Sequence, residues 1–180
     1  EVIDLLLDAL LQDFERVHLL GNHEEFLLEF EHSLASARMW LYTGGDTTLH
    51  SYGVAVPQIV REDADLTGAR EEFFRALPDR HLAFLRSLQR CHQIGDYFFV
   101  HAGVRPGVAL DRQKPEDLVW IRDDFLRSES DFGKVVVHGH SISRDIDVRP
   151  NRIGIDTGAY ATGVLSCLVL QGQERWFIQT

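Results

Sequence analysis

Val135-Val136-Val137-His138-Gly139-His140-Ser141 is the stretch on which the fold turns: a β-branched run that stops at a glycine set between two histidines. Tyr97-Phe98-Phe99-Val100 runs in the same way into His101-Ala102-Gly103, and Arg16-Val17-His18-Leu19-Leu20 into Gly21-Asn22-His23-Glu24. Short β-branched and aromatic runs bounded by glycine have the character of buried strands. In an open α/β sheet, ligands bind just beyond the carboxyl ends of the strands. The pattern therefore predicts strands over 16–20, 97–100 and 134–138, with an amide and several imidazoles along one sheet edge. A metal site is assembled in this way on such a scaffold.

The rest of the chain alternates helices with strands. Residues 1–13 read as an amphipathic helix, with Val2, Leu5, Leu6, Ala9 and Leu10 at helical spacing. A second helix is predicted over 24–38, with Phe26, Leu27, Phe30 and Leu34 on its apolar face. Residues 39–68, rich in Gly, Thr and Asp, lack periodicity and read as a long loop of the functional or mobile kind. Pro78-Asp79 opens a helix through about residue 90, and Pro115 another, since proline fits a first helical turn. Strands follow over 152–156, 164–170 and 175–179, the last two separated by a turn at Gln171-Gly172-Gln173. No repeat, low-complexity segment or linker interrupts the pattern, which predicts one domain over residues 1–180.

The 180 residues are 44% hydrophobic, enough for a substantial core. A net charge of −10 argues against a nucleic-acid footprint, which is normally basic, and suits a cytoplasmic enzyme that attracts divalent cations. The basic residues are nearly all arginine, Lys114 and Lys134 being the exceptions, a bias compatible with a phosphoester substrate. Cys91 and Cys167 are too few for a disulfide framework and read as small buried hydrophobes in a reducing compartment. No segment approaches the ~18–20 apolar residues of a membrane span.

Taken singly, each polar residue at these turns has a plain reading. Gly21-Asn22 is ordinary turn chemistry, although a side-chain carbonyl at a strand end is also a neutral oxygen ligand. A lone histidine at the position of His101 would be a hydrogen-bonded structural residue. His138 and His140 share strand-like spacing, and Gly139 is expected to end the strand, leaving one ring to reach a metal. Arg122 by itself is an exposed helical arginine.

Together and in order, Gly21-Asn22-His23-Glu24, His101-Ala102-Gly103 and Gly139-His140 resemble the downstream half of the calcineurin-like metallophosphatases. Leu118-Val119-Trp120-Ile121-Arg122 and Gly154-Ile155-Asp156-Thr157-Gly158 are similar to further blocks of the phosphoprotein phosphatase branch and its bacterial relatives, which include diadenosine tetraphosphatases. Related phosphoesterases carry another histidine two residues after the ligand, where this chain has Ile142; that favours the phosphoprotein phosphatase branch. The family's opening Asp-x-His and Gly-Asp-x-x-Asp-Arg-Gly blocks do not occur here, so the chain reads as lacking the N-terminal strands that carry them.

The resemblance implies an α/β fold, the four-layer α/β/β/α metallophosphatase sandwich of two mixed sheets, here without its N-terminal strands. It implies hydrolysis of phosphate monoesters by a metal-bound hydroxide, with a Ser/Thr protein phosphatase expected first and a dinucleoside polyphosphate hydrolase as the alternative. Its substrate would be a phosphorylated protein or a nucleotide, and no nucleic acid or membrane partner is implied. Asn22, His101 and His140 become metal ligands, His23 the acid that protonates the leaving group, and Arg122 a phosphate clamp. Tyr160 corresponds to a substrate-side tyrosine, and His138 to a residue that is structural or supports the ligands. Three neutral ligands suit Mn²⁺, Fe²⁺ or Zn²⁺, and two ions, Mn²⁺ first, are expected in the complete site. Without the missing carboxylates, a chain of these residues alone is expected to be inactive and prone to self-association. A binding module without catalysis is the expectation from another class. Trp40 and Tyr42 are candidate stacking residues for an adenine, or else core.

Overall fold

The computed structural model describes residues 1–8, 14–57 and 60–180. They form two compact units, Glu1–Leu88 and Gln89–Thr180, each with its own core.

The first unit is helical: α1 (Val2–Leu7), α2 (Asn22–Phe30), α3 (Ala37–Trp40), α4 (Asp46–Ser51), α5 (Thr67–Ala76) and α6 (Asp79–Ser87). Its core joins Phe26, Leu27 and Phe30 of α2 to Trp40, Leu49, Leu66, Phe73 and Leu85. Phe30, Trp40 and Phe73 meet ring to ring at 5.3–6.5 Å. The first helix is shorter than its periodicity predicts; residues 9–13 of that prediction lie outside the described residues. The run 16–20 forms no strand of its own, with a single bridge residue at Leu19. The helix predicted over 24–38 instead starts at Asn22 and breaks after Phe30. Ser33 Oγ accepts the Ala35 N–H at 3.1 Å, the local competition by which serine ends helices.

The long loop predicted over 39–68 is largely helical. A π-helical turn, Leu41–Gly45, joins α3 to α4, and a 3₁₀ turn covers Asp63–Leu66. Burial explains the miss: Trp40, Leu49, Val54 and Leu66 are at most 1% exposed, so core packing overrides a glycine- and threonine-rich composition. Gly44 breaks the helical geometry with φ 115°.

The second unit carries a five-stranded mixed sheet in the order β1-β2-β3-β5-β4. Its strands are β1 (Cys91–Ile94), β2 (Tyr97–Val100), β3 (Val135–His138), β4 (Asp147–Val148) and β5 (Arg152–Gly154). The three central strands are parallel, with Phe98 opposite Val136 and Val137 opposite Ile153. Those four are buried, as expected of parallel strands covered on both faces. Helices α7 (Pro115–Trp120) and α8 (Asp123–Leu126) lie between β2 and β3 in the chain, and Leu118, Ile121 and Phe125 pack into the core beneath them. After the short helix α9 (Ala159–Thr162), the chain ends in a hairpin, β6 (Ser166–Gln171) with β7 (Glu174–Gln179).

Strands 97–100, 134–138 and the hairpin thus lie where the periodicity put them. Cys167 does not behave as a buried hydrophobe. It is exposed on a two-stranded sheet in which no residue is buried, and Cys91 is half-buried. No helix among the described residues is long and apolar enough to cross a membrane.

Candidate metal centre

The parallel pairing aligns the ends of β2, β3 and β5 on one edge of the sheet. His101 follows the last residue of β2 and His140 follows β3 by two, with Gly139 turning the chain between His138 and His140. The Gly139 N–H donates to the His101 carbonyl at 2.8 Å, which ties the two strand ends together. His101 Nε2 and His140 Nδ1 then stand 3.2 Å apart, with ring centroids at 5.0 Å. Trp120 presents its edge to the His140 ring at 5.9 Å.

Arg122 joins this pair. Its Nη1 donates to the His140 carbonyl at 3.1 Å and to Ser141 Oγ at 3.2 Å. The Asp156 carboxylate lies beside the same turn and is held by the Gly158 N–H at 2.9 Å. His138 turns the other way. It is 3% exposed with Phe125 packed edge-on at 4.9 Å, and burial, helped by the nearby Arg152 charge, brings its pKa down to about 4. At neutral pH it is an uncharged, buried ring.

In the first unit, Asn22 and His23 open α2. Gly21 is extended at the N-cap, and Glu24 Oε2 reaches back to accept the Gly21 N–H at 3.0 Å. This reach-back closes the first helical turn in the manner of a capping box. Asn22 is buried, His23 exposed. Among the sequence candidates, then, His101, His140 and Arg122 come together around one turn. Tyr160, 89% exposed in α9, forms no hydrogen bond with them among the described residues. Tyr42 is 90% exposed, whereas Trp40 belongs to the core.

The donor set fits a divalent transition metal. Two imidazole nitrogens on one ion, each ~2.1 Å from it, stand ~3.0–3.4 Å apart for octahedral to tetrahedral angles. The separation of His101 Nε2 from His140 Nδ1 falls within that range. Among the described residues, no group of three or more His, Cys, Asp or Glu is arranged to hold an ion.

Sequence reasoning missed two neighbours of the site. Trp120 stands in the Leu118–Arg122 block of the resemblance, where only Arg122 was given a role. Arg152 carried a signal of its own: it is a charged residue inside a run that reads as a buried strand, and it is 5% exposed.

No protein-family model matches the chain, and no curated protein sequence does either. A crystal structure described as that of "a putative diadenosine tetraphosphatase" is similar over 94% of this chain and 71% of its own length, with a TM-score of 0.58 at 19% identity. At that identity the likeness is one of fold.

Proposed function

We propose that the chain carries metal-binding and phosphate-binding elements of a phosphoesterase. His101 and His140, with Asn22, are the ligands, His23 is the proton donor and Arg122 the phosphate clamp. The observation that carries this reading is the 3.2 Å approach of His101 Nε2 to His140 Nδ1 at the edge of a parallel sheet. A divalent ion held there would supply Lewis acidity and an activated water; Mn²⁺ is the ion favoured, and the reading includes a second.

The chain's own groups do the rest. Among the described residues Arg122 engages the His140 turn through Nη1, and a guanidinium has five donors in a planar fork, which suits it to bind phosphate oxygens as well. His23, solvent-accessible on the first turn of α2, is suited to hand a proton to a departing alkoxide or phosphate. The four-layer sandwich belongs to this reading, supported by the five-stranded mixed sheet and by the fold likeness.

Of the two substrate classes, a dinucleoside polyphosphate has the support of the neighbour's description. The exposed rings of Tyr42 and Tyr160 are also available to stack on bases. A phosphoprotein is the other arm of the test. Mn²⁺ content measured by elemental analysis should fall sharply in His101→Ala relative to the unaltered protein. Full occupancy in that variant would refute the ligand assignment. In a protein that carries the whole metal site, hydrolysis of diadenosine tetraphosphate and of a phosphoserine peptide, compared at equal Mn²⁺, decides the substrate class.

A further inference from the structure

His140 has φ 61°, the only positive value at a non-glycine position among the described residues. The Ser141 N–H closes onto the Gly139 carbonyl at 2.6 Å, so Gly139-His140-Ser141 is a three-residue turn with histidine at its strained centre. A side chain in this region persists only where its surroundings over-determine it. Two of the holding contacts belong to the site already described: Gly139 N–H to the His101 carbonyl, and Arg122 to the His140 carbonyl. The third comes from below the turn.

Arg152, at the start of β5, is buried, and its guanidinium is fixed on three sides. Nη2 donates to Asp147 Oδ2 at 2.8 Å and to the Leu126 carbonyl at 3.1 Å, and Nη1 points at His138 Nε2 at 3.3 Å. An arginine donates and never accepts. His138 Nε2 must therefore be the acceptor, which puts the ring hydrogen on Nδ1. Nδ1 lies 3.2 Å from the Gly139 carbonyl oxygen, so that hydrogen is donated to the oxygen on which Ser141 closes the turn. The ring is held in this orientation by Phe125 on one side and by Gly154 on the other, where even a Cβ would come within 3.2 Å of it.

We propose that Arg152 and His138 are positioning residues: the line from half-buried Asp147 through the buried Arg152 and His138 holds the Gly139 carbonyl, and through it the left-handed His140, so that His140 Nδ1 faces His101 Nε2. The proposal rests on the reading of that pair as metal ligands for its functional meaning, while its structural content stands apart from any metal. An apolar ring at position 138 would fill the same volume. It would leave Arg152 short of an acceptor and the Gly139 carbonyl held by the Ser141 N–H alone. The line does for a ligand's backbone what a hydrogen-bonded carboxylate commonly does for a ligand's ring.

The first test needs no substitution. Long-range ¹H–¹⁵N correlation spectra of the ¹⁵N-histidine-labelled protein at pH 7 should show His138 as the Nδ1–H tautomer. The Nε2–H form would overturn the proposal outright. His138→Phe and Arg152→Met should then shift the His140 backbone signals and weaken the His101–His140 ring-to-ring NOEs. His138→Gln, whose amide can accept from Arg152 and donate to the Gly139 carbonyl, should restore them. Mn²⁺ affinity should fall ~10–100-fold in His138→Phe and recover in His138→Gln. Urea denaturation of each variant separates loss of fold from loss of positioning. If a folded His138→Phe keeps the His140 signals and the NOEs unchanged, the positioning claim fails. If the unaltered protein binds no Mn²⁺, the metal reading falls, and the tautomer and NOE measurements still decide the positioning claim.

Discussion

Gly103, two residues after His101, is a site where one added methyl group should be felt through the whole second unit. A Cβ at Gly103 would lie 2.3 Å from Cδ1 of Phe125 and within 2.7 Å of two more ring atoms. Carbon atoms pack best at ~3.5–4.0 Å, so the ring would have to retreat by more than an ångström. It has little room to do so. Phe125 is fully buried, with Phe132 at 5.6 Å and the edge-on His138 ring at 4.9 Å. Overpacking of this kind costs ~1–3 kcal/mol. For a unit of this size each kcal/mol lowers the melting temperature by ~4–8 °C. We expect Gly103→Ala to lose that much in urea denaturation at 25 °C. Phe125→Ala alone should also destabilise, by ~3–5 kcal/mol from lost burial and the cavity left behind. Combined, the two should cost clearly less than their sum, since alanine removes Cγ and the whole ring that the added methyl group would strike. Strict additivity, or a Gly103→Ala cost under ~0.5 kcal/mol, would show that the Gly103–Phe125 contact is not what requires the glycine.

Two further outcomes follow from the same coordinates. Asp4 accepts a hydrogen bond from His81 Nε2 at 2.9 Å, which, with Arg80 nearby, holds its carboxyl at about 2. A carboxyl lowered in the folded state adds stability above its unfolded pKa of ~3.9, and that stability is lost as pH falls through the folded value. Asp4→Asn should therefore lower stability at pH 7 and flatten the decline between about pH 4 and pH 2, as followed by circular dichroism. In a protein that carries the whole metal site, His23→Asn should retain bound Mn²⁺ yet slow hydrolysis by ~10²–10⁴. The loss should be smaller for p-nitrophenyl phosphate than for substrates with poor leaving groups, and an equal loss on both would exclude the acid role.

What the chain announces about itself is mostly its strands. Val135-Val136-Val137 and Tyr97-Phe98-Phe99-Val100 are continuous apolar runs because parallel strands are covered on both faces, and the histidines after them fall at the sheet edge for the same reason. Residues 39–68 were opaque, since what makes them helical is the burial of Trp40, Leu49 and Leu66 in a core assembled from distant segments. Strand β1 was opaque too: Cys91-His92-Gln93-Ile94 has no alternation and exists by pairing with β2. In the candidate site, the strand-end placement of His101 and His140 was legible from the apolar runs before them, while Arg122 was singled out only by the resemblance of its block. The Arg152–His138 contact was not legible, because it arises from the register that sets His138 against Gly154 across two strands. The Asp4–His81–Tyr52 chain was hidden likewise, joining residues 29 and 77 positions apart.

The parallel core bears on how such a protein can diverge. The central strands supply a floor that asks only for apolar bulk, a demand many sequences meet. The groups with chemical character sit in the first one to three residues after each strand, and what differs between substrates can be written into the segments beyond them. A fold likeness across nearly the whole chain at only 19% identity is what this division of labour permits. Kinship is then better sought by aligning the strand-end turns in space than by counting matched residues along the chain.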